Sequence, residues 1–124
     1  MESIIILGGV FNLAFAVFHI FFWKLFSWGQ DLASLTPINR AVMQVLNLSL
    51  IWAFLGFAVL SIFYAGALIE TSLGRVVSGF IATFWFFRAL EQVFFFGLRR
   101  WLSVVFFVLF LVGSLLYAYP LLAP

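Results

Sequence analysis

The sequence predicts an all-α membrane protein, a four-transmembrane-helix bundle with short loops, on three observations. Hydrophobic side chains make up 67% of the 124 residues and charged ones 8%, whereas a soluble domain carries roughly 25% charge to wet its surface. The charges are spaced so that they leave four long apolar stretches, each near the ~20 residues that cross a ~30 Å hydrocarbon core. Trp and Tyr gather toward the ends of those stretches, as in the aromatic belts of membrane proteins. A mean hydropathy of +1.28 agrees. Residues 1–124 read as a single membrane domain, with lipid as its main partner.

The first span is predicted over about residues 3–26, because no charge falls between Glu2 and Lys24. Ala14-Phe15-Ala16 offers a signal-peptidase-like site. There is no basic segment before it, however, and the apolar run continues through Trp23, so a retained helix is expected. Residues 27–36 interrupt the pattern, and Thr36-Pro37 has the form of an N-cap followed by proline at the first helical position. From there the second span is placed over about 37–68, charge-free after Arg40.

Glu70-Thr71-Ser72 breaks the chain again, with Thr71 as the next cap. Residues 76–87 alone are too short to cross a bilayer. The third span is therefore extended over about 73–97, which carries Arg88 and Glu91 into the membrane. Gly97 suits a helix end, and Arg99-Arg100 make a tight turn. The fourth span is placed over about 101–119, with Pro120 ending it.

Four spans put both termini on one face, called here the terminal face, and the 1–2 and 3–4 loops on the other, the loop face. Lys24, Arg40, Arg99 and Arg100 lie near the loop face, against Arg75 alone on the terminal face. The positive-inside rule then makes the two loops cytoplasmic and both termini external. Trp23, Trp28 and Trp101 mark the loop face, and Tyr64, Tyr117 and Tyr119 the terminal face.

The composition excludes several classes. The pI near 9.5 rests on a net charge of only +2, with no basic run longer than Arg99-Arg100, so no nucleic-acid partner is expected. Absence of cysteine removes disulfides, thiolate metal sites and thiol catalysis. One histidine is too few for an ordinary metal centre within one chain, and haem held by two histidines would need His19 from two subunits. A serine-type hydrolase would need a deep serine near His19, and Ser49 is the nearest offered by the spans. No cofactor or metal is implied.

What remains is a cluster of polar residues where polarity is costly, roughly 2.5–3.5 kcal/mol for a charge at a helix centre. Asn12 and His19 share a face of the first span. Arg40, Gln44 and Asn47 follow i, i+4, i+7 in the second, and Arg88, Glu91 and Gln92 stand together in the third. At ~1.5 Å per residue, His19, Gln44, Asn47, Gln92 and Glu91 lie about 6–12 Å below the loop face, and Arg88 starts near 16 Å. These eight residues are the candidate ligand contacts, in a pocket among the first three helices that the plain fourth helix closes.

Each also has a structural role to weigh against this. Arg88 and Glu91 are spaced to neutralise each other. Asn12, Gln44 and Asn47 suit interhelical hydrogen bonds, and His19 suits a buried bond to Glu91 or Gln44. Trp52, Trp85 and the phenylalanines read as packing and lipid-facing surface. Small-residue pairs such as Ser61/Ala65, Ser78/Ala82 and Gly79/Thr83 suit helix packing within the chain, between copies in a homo-oligomer, or in a larger membrane complex. Binding or transport of a small polar, anionic or lipid head-group ligand is the function this pattern points to. The alternatives are an accessory or assembly subunit, and a cofactor-binding or lipid-modifying membrane enzyme.

Overall fold

A computed structural model describes residues 1–123. Four of its helices are long and apolar enough to cross a membrane: Glu2–Ile20, Pro37–Phe63, Ser72–Phe96 and Trp101–Leu122. Their outward faces are apolar, with Phe80, Phe94, Leu115 and Leu122 more than half exposed, a surface that suits lipid and not water. The chain is an integral, multi-pass helical membrane protein.

Helix α1 (Glu2–Ile20) stops at Phe21, where backbone angles near φ −87°, ψ 5° break the ladder. A short turn, α2 (Phe22–Leu25), follows, and Ser27 takes a left-handed conformation (φ 52°). The loop then coils through α3 (Trp28–Asp31) and a 3₁₀ turn at Leu32–Ser34. Three bonds from Arg40 hold this loop down, Nε to Leu32 O (2.8 Å) and Nη2 to Leu35 O (3.1 Å) and Ala33 O (3.3 Å). A guanidinium there satisfies carbonyls that a helix end leaves without partners.

Helix α4 (Pro37–Phe63) begins at the anticipated cap, Asn39 N–H donating to Thr36 Oγ1. It ends earlier than the sequence reading, because Tyr64 (φ −126°) interrupts it before a separate α5 (Ala65–Glu70). Thr71 caps α6 (Ser72–Glu91), accepting from Gly74 N–H at 2.9 Å. The end of α6 widens into a π-helical turn over Gln92–Phe96 before Gly97 (φ 71°) reverses the chain. Helix α7 (Trp101–Leu122) runs through Pro120 instead of stopping there. So near a C-terminus the missing N–H removes one bond from a turn that is about to end.

Helix α1 packs along α4 and α6 along α7, and the two pairs join through α1 on α7 and through α5. Close approach needs small residues at the joints. A Cβ on Gly8 would lie 2.7 Å from the Tyr117 ring, and one on Gly113 2.5 Å from Phe11. Ser78 and Ala82 are buried within the chain, Ser78 Oγ bonding Leu68 O (3.2 Å) and Ser114 Oγ bonding Ala82 O (2.8 Å). Toward the terminal face the helices are closely packed. Toward the loop face the two pairs part.

Candidate functional site: an aromatic-floored cleft on the loop face

Where the pairs part they enclose a cleft of about 1290 Å³, somewhat larger than the ~300–1,000 Å³ usual for small-molecule pockets. Its walls come from α1 beyond Phe15, α4 between Met43 and Phe54, α6 beyond Phe84, and α7 between Leu102 and Phe110, with the 28–35 loop above. The floor is a stack of three rings. Trp85 lies between Phe54 (5.2 Å, interplanar 17°) and Phe110 (5.7 Å, 19°), with Phe15 set against Trp85 at 4.9 Å. These four side chains are 1–8% exposed, so the cleft ends there.

Above the floor sits a collar of polar groups. His19 Nδ1 is 2.7 Å from Phe15 O. A carbonyl oxygen can only accept, so Nδ1 carries a proton, and in the neutral imidazole Nε2 is then an acceptor. Phe22 stacks on the imidazole at 4.3 Å and Phe54 meets it edge-on at 5.1 Å, fixing the ring. Across the cleft, the Arg88 guanidinium carbon lies 4.5 Å from the Phe110 ring centre and 5.7 Å from that of Phe96. The faces of these rings are negative and attract the cation. Among the described residues Arg88 has no hydrogen bond and no ion pair, and its nitrogens are not among the buried atoms that lack a partner; they open onto the cleft. Glu91, one turn along, lines the same cleft and is exposed at its rim.

Gln92 is held differently. It is 4% exposed and donates to Ser103 Oγ at 2.9 Å, while Ser103 bonds Gly97 O, so the α6–α7 corner is closed by hydrogen bonds. Asp31 and Arg100 stand at the mouth.

Of the eight residues singled out from the sequence, the structure brings four to this cleft: His19, Arg88, Glu91 and Gln92. The others do not line it. Arg40 clasps the 28–35 loop that roofs it. Gln44 donates to Arg40 O on its own helix at 3.2 Å. Asn47 donates to His19 O at 3.1 Å in the α1–α4 joint, its Oδ1 buried without a partner. Asn12, wholly buried, accepts from Trp85 Nε1 at 3.2 Å and donates to Tyr117 Oη at 2.9 Å, and Tyr117 Oη meets Ser61 Oγ at 2.6 Å. That network ties all four long helices together beneath the cleft.

Three placements differ from the sequence reading. The pocket is not confined to the first three spans, because α4 turns its polar stripe away and α7 supplies Leu102, Ser103, Phe106 and Phe110 as a wall. Tyr117 is not an interfacial marker but the centre of the buried network, while Tyr64 and Tyr119 remain exposed. His19 bonds neither Glu91 nor Gln44. No spacing pattern signals Tyr117 or Ser103, and Ser61 showed only as half of a small-residue pair with Ala65; Arg100 and Asp31 were visible only as loop charges.

Chemically, the cleft offers the Arg88 guanidinium and the Glu91 carboxylate within it, Arg100 and Asp31 at its edge, one imidazole and many aromatic rings. No serine hydrogen-bonds His19, and Ser49 faces outward. Among the described residues no three His, Cys, Asp or Glu side chains group together as metal ligands. No protein-family model, curated protein or solved structure matches the chain.

Proposed function

We propose that the protein binds, and in transport would carry, a small anionic or head-group ligand in the loop-face cleft, with Arg88 as its anchor. One observation supports this above the others. The guanidinium, on a membrane-spanning helix, lies against two ring faces and, among the described residues, has no hydrogen bond and no ion pair. Charge in that position is expensive unless something pairs with it. A phosphate or carboxylate arriving in the cleft would do so with charge-assisted, forked hydrogen bonds. His19 Nε2 adds an acceptor with a fixed direction, and the aromatic floor takes the apolar part of the ligand. In the orientation favoured by the basic residues, the cleft opens to the cytoplasmic side.

A second reading, as an accessory subunit, draws on Trp52. It is 79% exposed near the middle of α4 with no hydrogen bond from its indole N–H. A buried neighbour helix would cover it.

The test is retention of anionic ligands by purified protein, read by native mass spectrometry with phosphatidylglycerol and inorganic phosphate as probes. Arg88→Gln should weaken the bound anion by roughly 1.5–3 kcal/mol, tenfold or more. Equal retention by the variant would remove the anchor from the account, and the accessory reading would then lead.

A further inference from the structure

Arg88 and Glu91 stand three residues apart on α6, the spacing at which side chains of opposite charge normally pair, with Cβ atoms ~5–6 Å apart. They do not pair. The guanidinium lies over Phe110 and Phe96, and the carboxylate reaches the rim of the same cleft. From this juxtaposition, and resting on the reading of the cleft as a ligand site, we infer that the ligand is a zwitterion. Its anionic group would take Arg88 and its ammonium group Glu91.

The charge balance of the cleft argues in the same direction. A site built for a bare anion gathers positive charge, because each extra carboxylate repels the ligand. Here Arg88 and Arg100 are matched by Glu91 and Asp31, leaving no net charge on the walls. His19 lines the cavity, and with its Nδ1 proton on Phe15 O the neutral ring has Nε2 as an acceptor and not a donor. That acceptor is of no use to a fully ionised anion and of direct use to a ligand that carries N–H or O–H groups. Phe22 and Phe95 also line the cleft, and aromatic rings attract ammonium.

Size fits as well. The two-carbon link of phosphoethanolamine holds phosphate and ammonium within about one helical turn, the ~5.4 Å that separates residues of neighbouring turns on α6. Such a group can arrive as the head of a phospholipid or as a free, water-soluble molecule. The cleft has rims for both. Met43 on α4 and Phe95 in the π-helical turn after α6 line it while exposed on the apolar outer surface, and the exposed Asp31 and Arg100 line it from the loop side.

The experiment uses the full chain purified in detergent and in nanodiscs, with binding read by native mass spectrometry and by thermal shift. The probes are phosphatidylethanolamine, phosphatidylglycerol, soluble phosphoethanolamine and inorganic phosphate, against wild type, Glu91→Gln and Arg88→Gln. Glu91→Gln keeps the side-chain shape and Arg88→Gln keeps a shorter polar side chain, and thermal unfolding without ligand checks that both fold.

The expected result is that wild type prefers the ethanolamine head to the glycerol head by about tenfold, the scale of one charged hydrogen bond. Glu91→Gln abolishes that preference without weakening phosphatidylglycerol binding, which gains from loss of the repelling carboxylate, while Arg88→Gln weakens every probe. Binding of the lipid alone assigns a membrane source; binding of soluble phosphoethanolamine with similar affinity assigns a free one. Equal binding of the two lipids, or a Glu91→Gln variant that still discriminates, overturns the zwitterion and leaves the anion site standing. Binding of phosphatidylglycerol or phosphate without either ethanolamine probe does the same. Retention of all probes by Arg88→Gln, or binding of none by wild type, overturns both.

Discussion

Replacing Asn12 with alanine should destabilise the bundle more than replacing Tyr117 with phenylalanine, although Tyr117 has the larger side chain and sits at the centre of the network. The reason is what each change leaves behind. Without its hydroxyl, Tyr117 keeps its ring against Gly8. Asn12 Nδ2 still has Gly8 O at 2.9 Å, and Ser61 Oγ still has Phe57 O at 2.6 Å. Every former partner has somewhere to go, so the loss is that of interhelical bonds worth ~0.6 kcal/mol each in a membrane, about 1 kcal/mol together. Asn12→Ala removes the acceptor of Trp85 Nε1, for which no other partner exists among the described residues. A buried, orphaned N–H costs ~1–3 kcal/mol beyond the lost bond, so about 2–3 kcal/mol is expected in total. Reversible unfolding in mixed micelles by SDS titration, followed by tryptophan fluorescence, compares the two. A Tyr117→Phe cost equal to that of Asn12→Ala, or an Asn12→Ala change below ~0.5 kcal/mol, the level of ordinary surface substitutions, would refute the orphaned Trp85 N–H as the source of the loss.

Other consequences can be checked independently. Arg40→Ala frees the 28–35 loop from three carbonyl bonds; limited proteolysis there should quicken about tenfold, as the loss of ~1.5 kcal/mol of charged bonding implies, while α4 stays intact. Gly8→Val places a branched side chain where Tyr117 already is, and overpacking of this kind should cost ~1–3 kcal/mol in the same SDS titration. Since the chain contains no cysteine, single-cysteine variants can read orientation. Gln30→Cys should react with a membrane-impermeant maleimide only from the cytoplasmic side, and Glu70→Cys only from outside.

The spans were legible because a bilayer demands a run of apolar residues, and run length is written directly in the chain. The caps at Thr36 and Thr71 were legible for a related reason, since each is settled within three residues. Beyond that, sequence periodicity says which residues share a face but not which neighbour that face meets. Arg40, Gln44 and Asn47 do share a side of α4, as their spacing implies, yet that side meets the loop and α1, not the cleft. Tyr117 sits near a helix end, where tyrosine is common in belts; only the packing of α7 on α1 at Gly8 turns it inward. The π-helical turn at Gln92–Phe96 has no counterpart in residue pattern, and it is the corner that Gln92 and Ser103 close. Arg88 stood out from the first as a charge too deep to be surface. What the sequence lacked was the outcome of its choice between Glu91 and the rings of Phe96 and Phe110, because a three-residue spacing permits the ion pair without requiring it.

That choice is the point on which the account turns, and an experimental density map of the protein in lipid nanodiscs tests it most directly. The account predicts density for a head group or anion within hydrogen-bond reach of the Arg88 guanidinium, above the Phe54–Trp85–Phe110 stack, with Glu91 turned toward the ligand. A cleft closed by α4 against α6, with Arg88 bonded to Glu91 and nothing between the helix pairs, would contradict it.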